Sequence, residues 1–148
     1  MSLILDGTNG LSDVDGTAAA PAIRGTDTNT GIFFGADIIG FSEGGAEVAR
    51  FNADAQFVAA AGTAALPVIT TTGDVNTGIF FPAADTIAFA EGGVESMRID
   101  SSGNVGIGTS SITNPQGWGK VLQITNSGSS ALFKNRGGLP MRMQRRQP

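Results

Sequence analysis

The chain has 148 residues with 22 Gly and no His, Cys or Tyr, which excludes a His or Cys metal site, a disulfide, a Ser/His/Asp or Cys/His relay and a histidine base. Leu, Ile, Val and Phe make up about a quarter of it, above the ~20% of disordered chains, but much of the rest is short Ala and Gly, so the core is thin and a partner chain or stacked repeats would supplement it. All 13 Asp and Glu lie in residues 1–100, against Arg24, Arg50 and Arg98 alone, while 101–148 carry only basic residues; an acidic body disfavours nucleic acid as partner, and the basic end suits an anionic surface.

The lead, residues 1–15, opens Met1-Ser2-Leu3-Ile4-Leu5-Asp6, with no basic region before its short apolar run, so it does not read as a secretion signal. Leu3, Ile4 and Leu5 have no counterpart in the repeats that follow, and exposed groups of this kind mark a partner surface. Repeat one (16–61) and repeat two (62–107) then share most of their residues. Gly16-Thr17-Ala18-Ala19-Ala20-Pro21-Ala22-Ile23 returns as Gly62-Thr63-Ala64-Ala65-Leu66-Pro67-Val68-Ile69, Asp27 to Phe34 as Asp74 to Phe81, and Asp37 to Phe51 as Asp85 to Ile99. The unit is about 46 residues long. A third copy opens at Gly108-Thr109 and diverges, so 108–133 reads as a divergent unit or the start of a further β domain, and 134–148 as a basic tail. Ala55 to Gly73 is uncharged but broken by Gly62 and Pro67, so no membrane insertion is expected.

Within each repeat the pattern is β, and the expected class is all-β with short strands. Asp27 to Gly31 and Asp74 to Gly78 read as turns, because Asp and Asn bond their own backbone and Gly tolerates positive φ. The following Ile-Phe-Phe is a short strand apolar on both faces, Ile79 and Phe81 on one and Phe80 on the other, hence covered on two sides. Ile39 and Phe41, then Ala49 and Phe51, alternate around Gly44-Gly45; Ile87 and Phe89, then Met97 and Ile99, do so around Gly92-Gly93. Placing all four on one face calls for a three-residue loop with one left-handed Gly. Ala53 to Ala61 reads as irregular. Stacked units usually need about three copies, so self-association is expected, and Phe33, Phe34, Phe41, Phe80, Phe81 and Phe89 are the candidates for its core.

The stretch from Gly73 to Ser111, with Asp-Val-Asn-Thr-Gly-Ile-Phe-Phe-Pro, Glu-Gly-Gly-Val-Glu-Ser-Met-Arg-Ile-Asp and Gly-Asn-Val-Gly-Ile-Gly-Thr, resembles the repeat of tail fibres and other fibrous virion proteins of tailed bacteriophages. Leu3 to Gly10 resembles the start of such chains. The resemblance implies an elongated, intertwined homotrimer, docked by its N-terminal end on other virion proteins, assembled in the host cytoplasm and supporting host attachment. Leu3, Ile4 and Leu5 then become the virion-docking residues. Lys134, Arg136, Arg142, Arg145 and Arg146 become candidates for holding an anionic surface, such as host polysaccharide. Gly117 to Ile124 looks like the beginning of a further domain that ends early, so a short stalk or fibre adaptor is the expected form. Two alternatives from other classes remain: a carbohydrate-binding, lectin-like module whose units are blades of an oligomeric propeller-like ring, and a fibre-borne polysaccharide depolymerase.

The residues give little chemistry to an enzyme, and none is expected. Gly103 to Gly108 has the dinucleotide glycines in the wrong order, and Gly119-Lys120 lacks the rest of a phosphate loop, so no cofactor is expected. Asp100-x-Ser102-x-Asn104 begins like a calcium loop, but Val105 stands where Gly is required, and a turn is the simpler account. Glu43 with Glu47 and Glu91 with Glu95 are carboxylate pairs of a kind glycosidases use; their recurrence at one hairpin position favours a solvated edge. Trp118 suits a sugar platform or a domain junction equally.

Overall fold

The computed structural model describes residues 5–6, 10–11, 14–117, 119–126 and 129–133. No helix occurs among them, and the fold is all-β. The chain divides into two compact units, Met1–Ala60 and Ala61–Pro148.

In unit one, β1 (Leu5–Asp6) pairs with β2 (Gly10–Leu11) and β3 (Gly16–Thr17) with β4 (Ala20–Pro21). A five-stranded antiparallel meander follows: β5 (Ile23–Arg24), β6 (Gly31–Gly35), β7 (Ile38–Glu43), β8 (Ala46–Phe51) and β9 (Phe57–Ala59). Unit two repeats this order with β10 (Ile69–Thr71), β11 (Asp74–Phe80), β12 (Ile87–Glu91), β13 (Val94–Ile99) and β14 (Val105–Ile107). It then adds β15 (Leu122–Asn126), parallel to β14, and β16 (Ser129–Phe133), antiparallel to β15.

The repeated residues have identifiable local duties. Thr17 Oγ1 accepts the N–H of Ala20 and Thr63 Oγ1 that of Leu66, both at 3.1 Å, closing the turn that opens each unit. The Gly-Gly hairpin tip docks on the preceding Asn-Thr: Gly45 donates to the Asn29 carbonyl and Gly93 to that of Asn76, both at 2.8 Å. Thr30 and Thr77 hydroxyls accept from Gly44 and Gly92, both at 3.2 Å. The next glycine is needed for space, since a Cβ at Gly31 would overlap the Ile23 carbonyl oxygen and one at Gly78 that of Ile69.

Three local expectations are corrected. The Gly-Gly connection is a two-residue loop, not a three-residue one. Glu43 pairs with Ala46 and Glu91 with Val94, and φ is 58° and 83° at Gly44 and Gly45 and 58° and 80° at Gly92 and Gly93, positive at both positions as a type I′ turn requires. The odd residue is a β-bulge at Val48 and at Ser96, which restores the apolar face: Phe41 lies opposite Ala49, Phe89 opposite Met97, and Ile87 opposite Ile99. Asp74 to Gly78 is not a free turn but the start of β11, whose residues 75–77 are looped out between two β10 pairs. The segment 53–61 contains a turn, with Ala55 at φ 57°, and then β9.

Candidate functional site

Each sheet has one face covered within its own unit. In unit one Phe33 is 7% exposed and sits over Gly40, with buried Ser42 beside it and β3 and β4 against β6. In unit two Phe80 is 4% exposed opposite fully buried Ala88, and Ala64 packs on that cluster. Phe33 and Phe80 thus stabilise the single chain.

The other face is apolar and, among the described residues, largely uncovered. Cross-strand partners share a face, and residues two apart on a strand share it too. In unit one this joins Ile23, Ile32, Phe41, Ala49 and Ala59 in one row and Phe34, Ile39, Phe51 and Phe57 in the next. In unit two it joins Ile69, Ile79, Phe89, Met97, Ile107 and Ile124, with Ile87, Ile99, Val105 and Leu122 beside them. Phe57 is 57% exposed, Ile69 50%, Ile39 and Phe51 44%, Ile87 41% and Phe81 36%. Soluble monomers rarely leave so broad an apolar patch in water.

Of the sequence candidates, Phe34 and Phe41 are half-buried on this open face, as is Phe89, and Phe81 is exposed. Ile39, Phe51, Phe57, Ile69 and Ile87 belong with them, though only phenylalanines of the matched strands were singled out. Alternation around the Gly-Gly tips marks Ile39, Phe51 and Ile87; Phe57 was hidden in the segment read as irregular. An open depression of about 620 Å³ on unit one is lined by Phe34, Ile39 and Phe51 together with Asp37 and Asn52, and so belongs to the same face.

Glu43 and Glu91 end their strands on the open side, whereas Glu47, Arg50, Glu95 and Arg98 lie on the covered side. Residues three apart on a regular strand point to opposite faces, and the bulge brings Glu95 and Arg98 onto one. Arg98 Nε and Nη2 donate to the two Glu95 oxygens at 2.5 and 2.6 Å, with side chains 20% and 14% exposed. This bond holds the guanidinium above its ordinary pKa, against a smaller opposing effect of burial. Glu47 and Arg50 meet less closely, at 3.1 Å, and are 31% and 40% exposed. Glu95 therefore has both oxygens bonded to the Arg98 guanidinium.

Asp100 is occupied by its own turn. Its Oδ1 accepts from the N–H groups of Ser102 (2.9 Å) and Asn104 (2.8 Å), and its Oδ2 from Asn104 Nδ2 (3.0 Å). Burial pushes the carboxyl up, but these bonds and the Lys120 charge prevail and hold it below its ordinary pKa. Asn52 does the same work in unit one, its Oδ1 accepting from Asp54 and Gln56. Among the described residues no cluster of Asp and Glu is grouped to hold a metal.

Leu3, Ile4, Trp118 and the basic residues Lys134, Arg136, Arg142, Arg145 and Arg146 lie outside the described residues. Leu5 is in β1, opposite Leu11. Comparison with protein-family models, with curated proteins and with solved structures gives no match.

Proposed function

We propose that this chain is a non-enzymatic structural protein that self-associates through its open sheet faces, as a tail-fibre or fibre-adaptor component of a bacteriophage virion supporting host attachment. The observation that carries this reading is the apolar face repeated in both units, with Ile39, Phe51, Phe57, Ile69, Ile87 and Phe81 all more than a third exposed. Full burial of such side chains is worth about 1.5 to 3 kcal/mol each, enough in sum to drive assembly. A homotrimer brings three such faces together about one axis and supplies the cover that one chain lacks. The resemblance of residues 73–111 to phage fibre repeats is what supports a virion as the place of that assembly.

Electron micrographs of the purified protein test the reading. Slender rods of uniform width are expected. Closed rings would favour the propeller-like lectin, and dispersed particles the size of one chain would overturn both.

A further inference from the structure

The two units end their meanders on homologous strands whose outer edges are treated differently. In β14 the Arg98–Gly106 pair faces β13, flanked by bonds from Asp100 N–H to the Asn104 carbonyl and from Gly108 N–H to the Ser96 carbonyl. Antiparallel ladders alternate, so Val105 and Ile107 turn their backbone groups outward. There β15 takes them: the Val105 N–H donates to the Val121 carbonyl at 2.9 Å, and Leu122, Gln123 and Ile124 run parallel beside Val105, Gly106 and Ile107. The Asn104 side chain accepts the Val121 N–H at 3.0 Å, and Lys120 reaches the Ser102 carbonyl.

In β9 the same alternation holds. Arg50 faces Val58, flanked by bonds from Asn52 N–H to the Gln56 carbonyl and from Ala60 N–H to the Val48 carbonyl. Phe57 and Ala59 therefore point outward as Val105 and Ile107 do, yet β9 has no strand beyond it among the described residues. Its three-residue length is no obstacle, because β14 is equally short and is paired. A free edge of this kind is a template for strand addition.

We infer that the β9 edge of unit one takes the β5 edge strand of a second copy, in parallel. This deepens the proposed self-assembly and rests on it. Successive strands of the meander reverse direction, so β5 and β9 run the same way. Rotation about an axis along the strands preserves that direction, which makes a β9-to-β5 contact between copies parallel, as β14 to β15 is within the chain. It is also head-to-tail, and it closes on itself where the rotation from copy to copy divides a full turn. β5 is the other edge of the sheet, with no strand beyond it among the described residues, and its Ile23 lies on the same apolar face as Phe57 and Ala59. The union continues that face from one copy to the next.

Amide hydrogen exchange on the assembled full-length protein reads the edge directly. Protection is expected at Ala59 as well as at Val58, and Ala59 alone should lose it, by at least tenfold in exchange rate, when the assembly is dissociated by dilution. The sequence has no cysteine, so Ile23→Cys with Ala59→Cys gives a clean cross-link, and oxidation should yield covalent multimers that neither single variant forms. An assembled protein whose Ala59 amide exchanges freely overturns the β9 contact and leaves the self-assembly standing. Ala59 protection that survives in the monomer, or a cross-link confined to one chain, assigns the edge to this chain's own segments and overturns it equally. A wild-type chain that sediments as a monomer overturns the contact and the assembly together.

Discussion

The two meanders have matching strand registers and differ in how completely each is finished. Unit two has β15 along its last edge, Lys120 and Val121 bonded to the Ser102–Asn104 turn, a bidentate Glu95–Arg98 pair, and Gly103 at φ 73° in that turn. Unit one has an open β9 edge among the described residues, a looser and more exposed Glu47–Arg50 pair, and Ala55 held at φ 57° where unit two has glycine. A left-handed Ala costs roughly 1 kcal/mol or more. The same strand plan thus tolerates an edge that is self-satisfied and one that is not. What both units keep is the apolar face, which neither covers among the described residues, and the proposed self-association would supply that cover.

The largest expected effects come from the covered face. Phe33→Ala and Phe80→Ala should each cost about 3 to 5 kcal/mol, seen as an early urea transition, because both rings are buried within their own units. Equal losses sharpen the comparison by showing that the two units depend alike on this ring. A loss confined to Phe80→Ala would break it, leaving unit one dependent on its neighbours.

Asp100→Ala should cost about 2 kcal/mol by leaving turn donors without their acceptor, whereas Asp100→Asn should cost less, since Asn52 serves in the equivalent turn. The pH dependence separates them further. The folded-state pKa of Asp100 is depressed, so its stabilisation is complete above the ordinary carboxylate value of ~3.9 and is lost as pH falls through the lower folded value. The gap between wild type and Asp100→Asn in urea midpoint should therefore be constant from neutral pH to about 5 and shrink below about 4.

Smaller effects belong to the ion pairs. Glu95→Gln should cost on the order of 1 kcal/mol, because it weakens charge-assisted bonds to a half-buried Arg98. Glu47→Gln should cost less than about 0.5 kcal/mol, since that pair is more exposed and longer. Thermal unfolding of the two variants beside wild type measures the difference, and equal losses would mean that the tighter geometry of unit two adds nothing.

Much of this was legible in the sequence because period-2 alternation fixes faces. Ile87 and Phe89 had to lie with Met97 and Ile99, and they do. The loop was not legible, because parity counts only the total of inserted residues: a three-residue loop and a two-residue loop with one bulge give the same faces. Consecutive positive φ values at Gly92 and Gly93 favour the second. Phe57 was missed because Ala-rich residues 53–61 carry little alternation of their own and become β9 only by pairing with β8. The parallel partner of β14 comes from residues after a long connection, and nothing local to Val105–Ile107 announces it. Which side of the Ile79-Phe80-Phe81 strand the chain covers for itself depended on Ala64 and Pro67 folding back from the start of the repeat, a contact that strand pattern does not encode.

Sedimentation equilibrium at micromolar concentration tests the central claim, that the open face is closed by other copies of the chain. Wild type should sediment at three times the 15.0 kDa of one chain, and Phe81→Ser, which places a hydroxyl on the open face, should lose that species. A wild-type chain that stays folded, soluble and monomeric at that concentration would contradict the account.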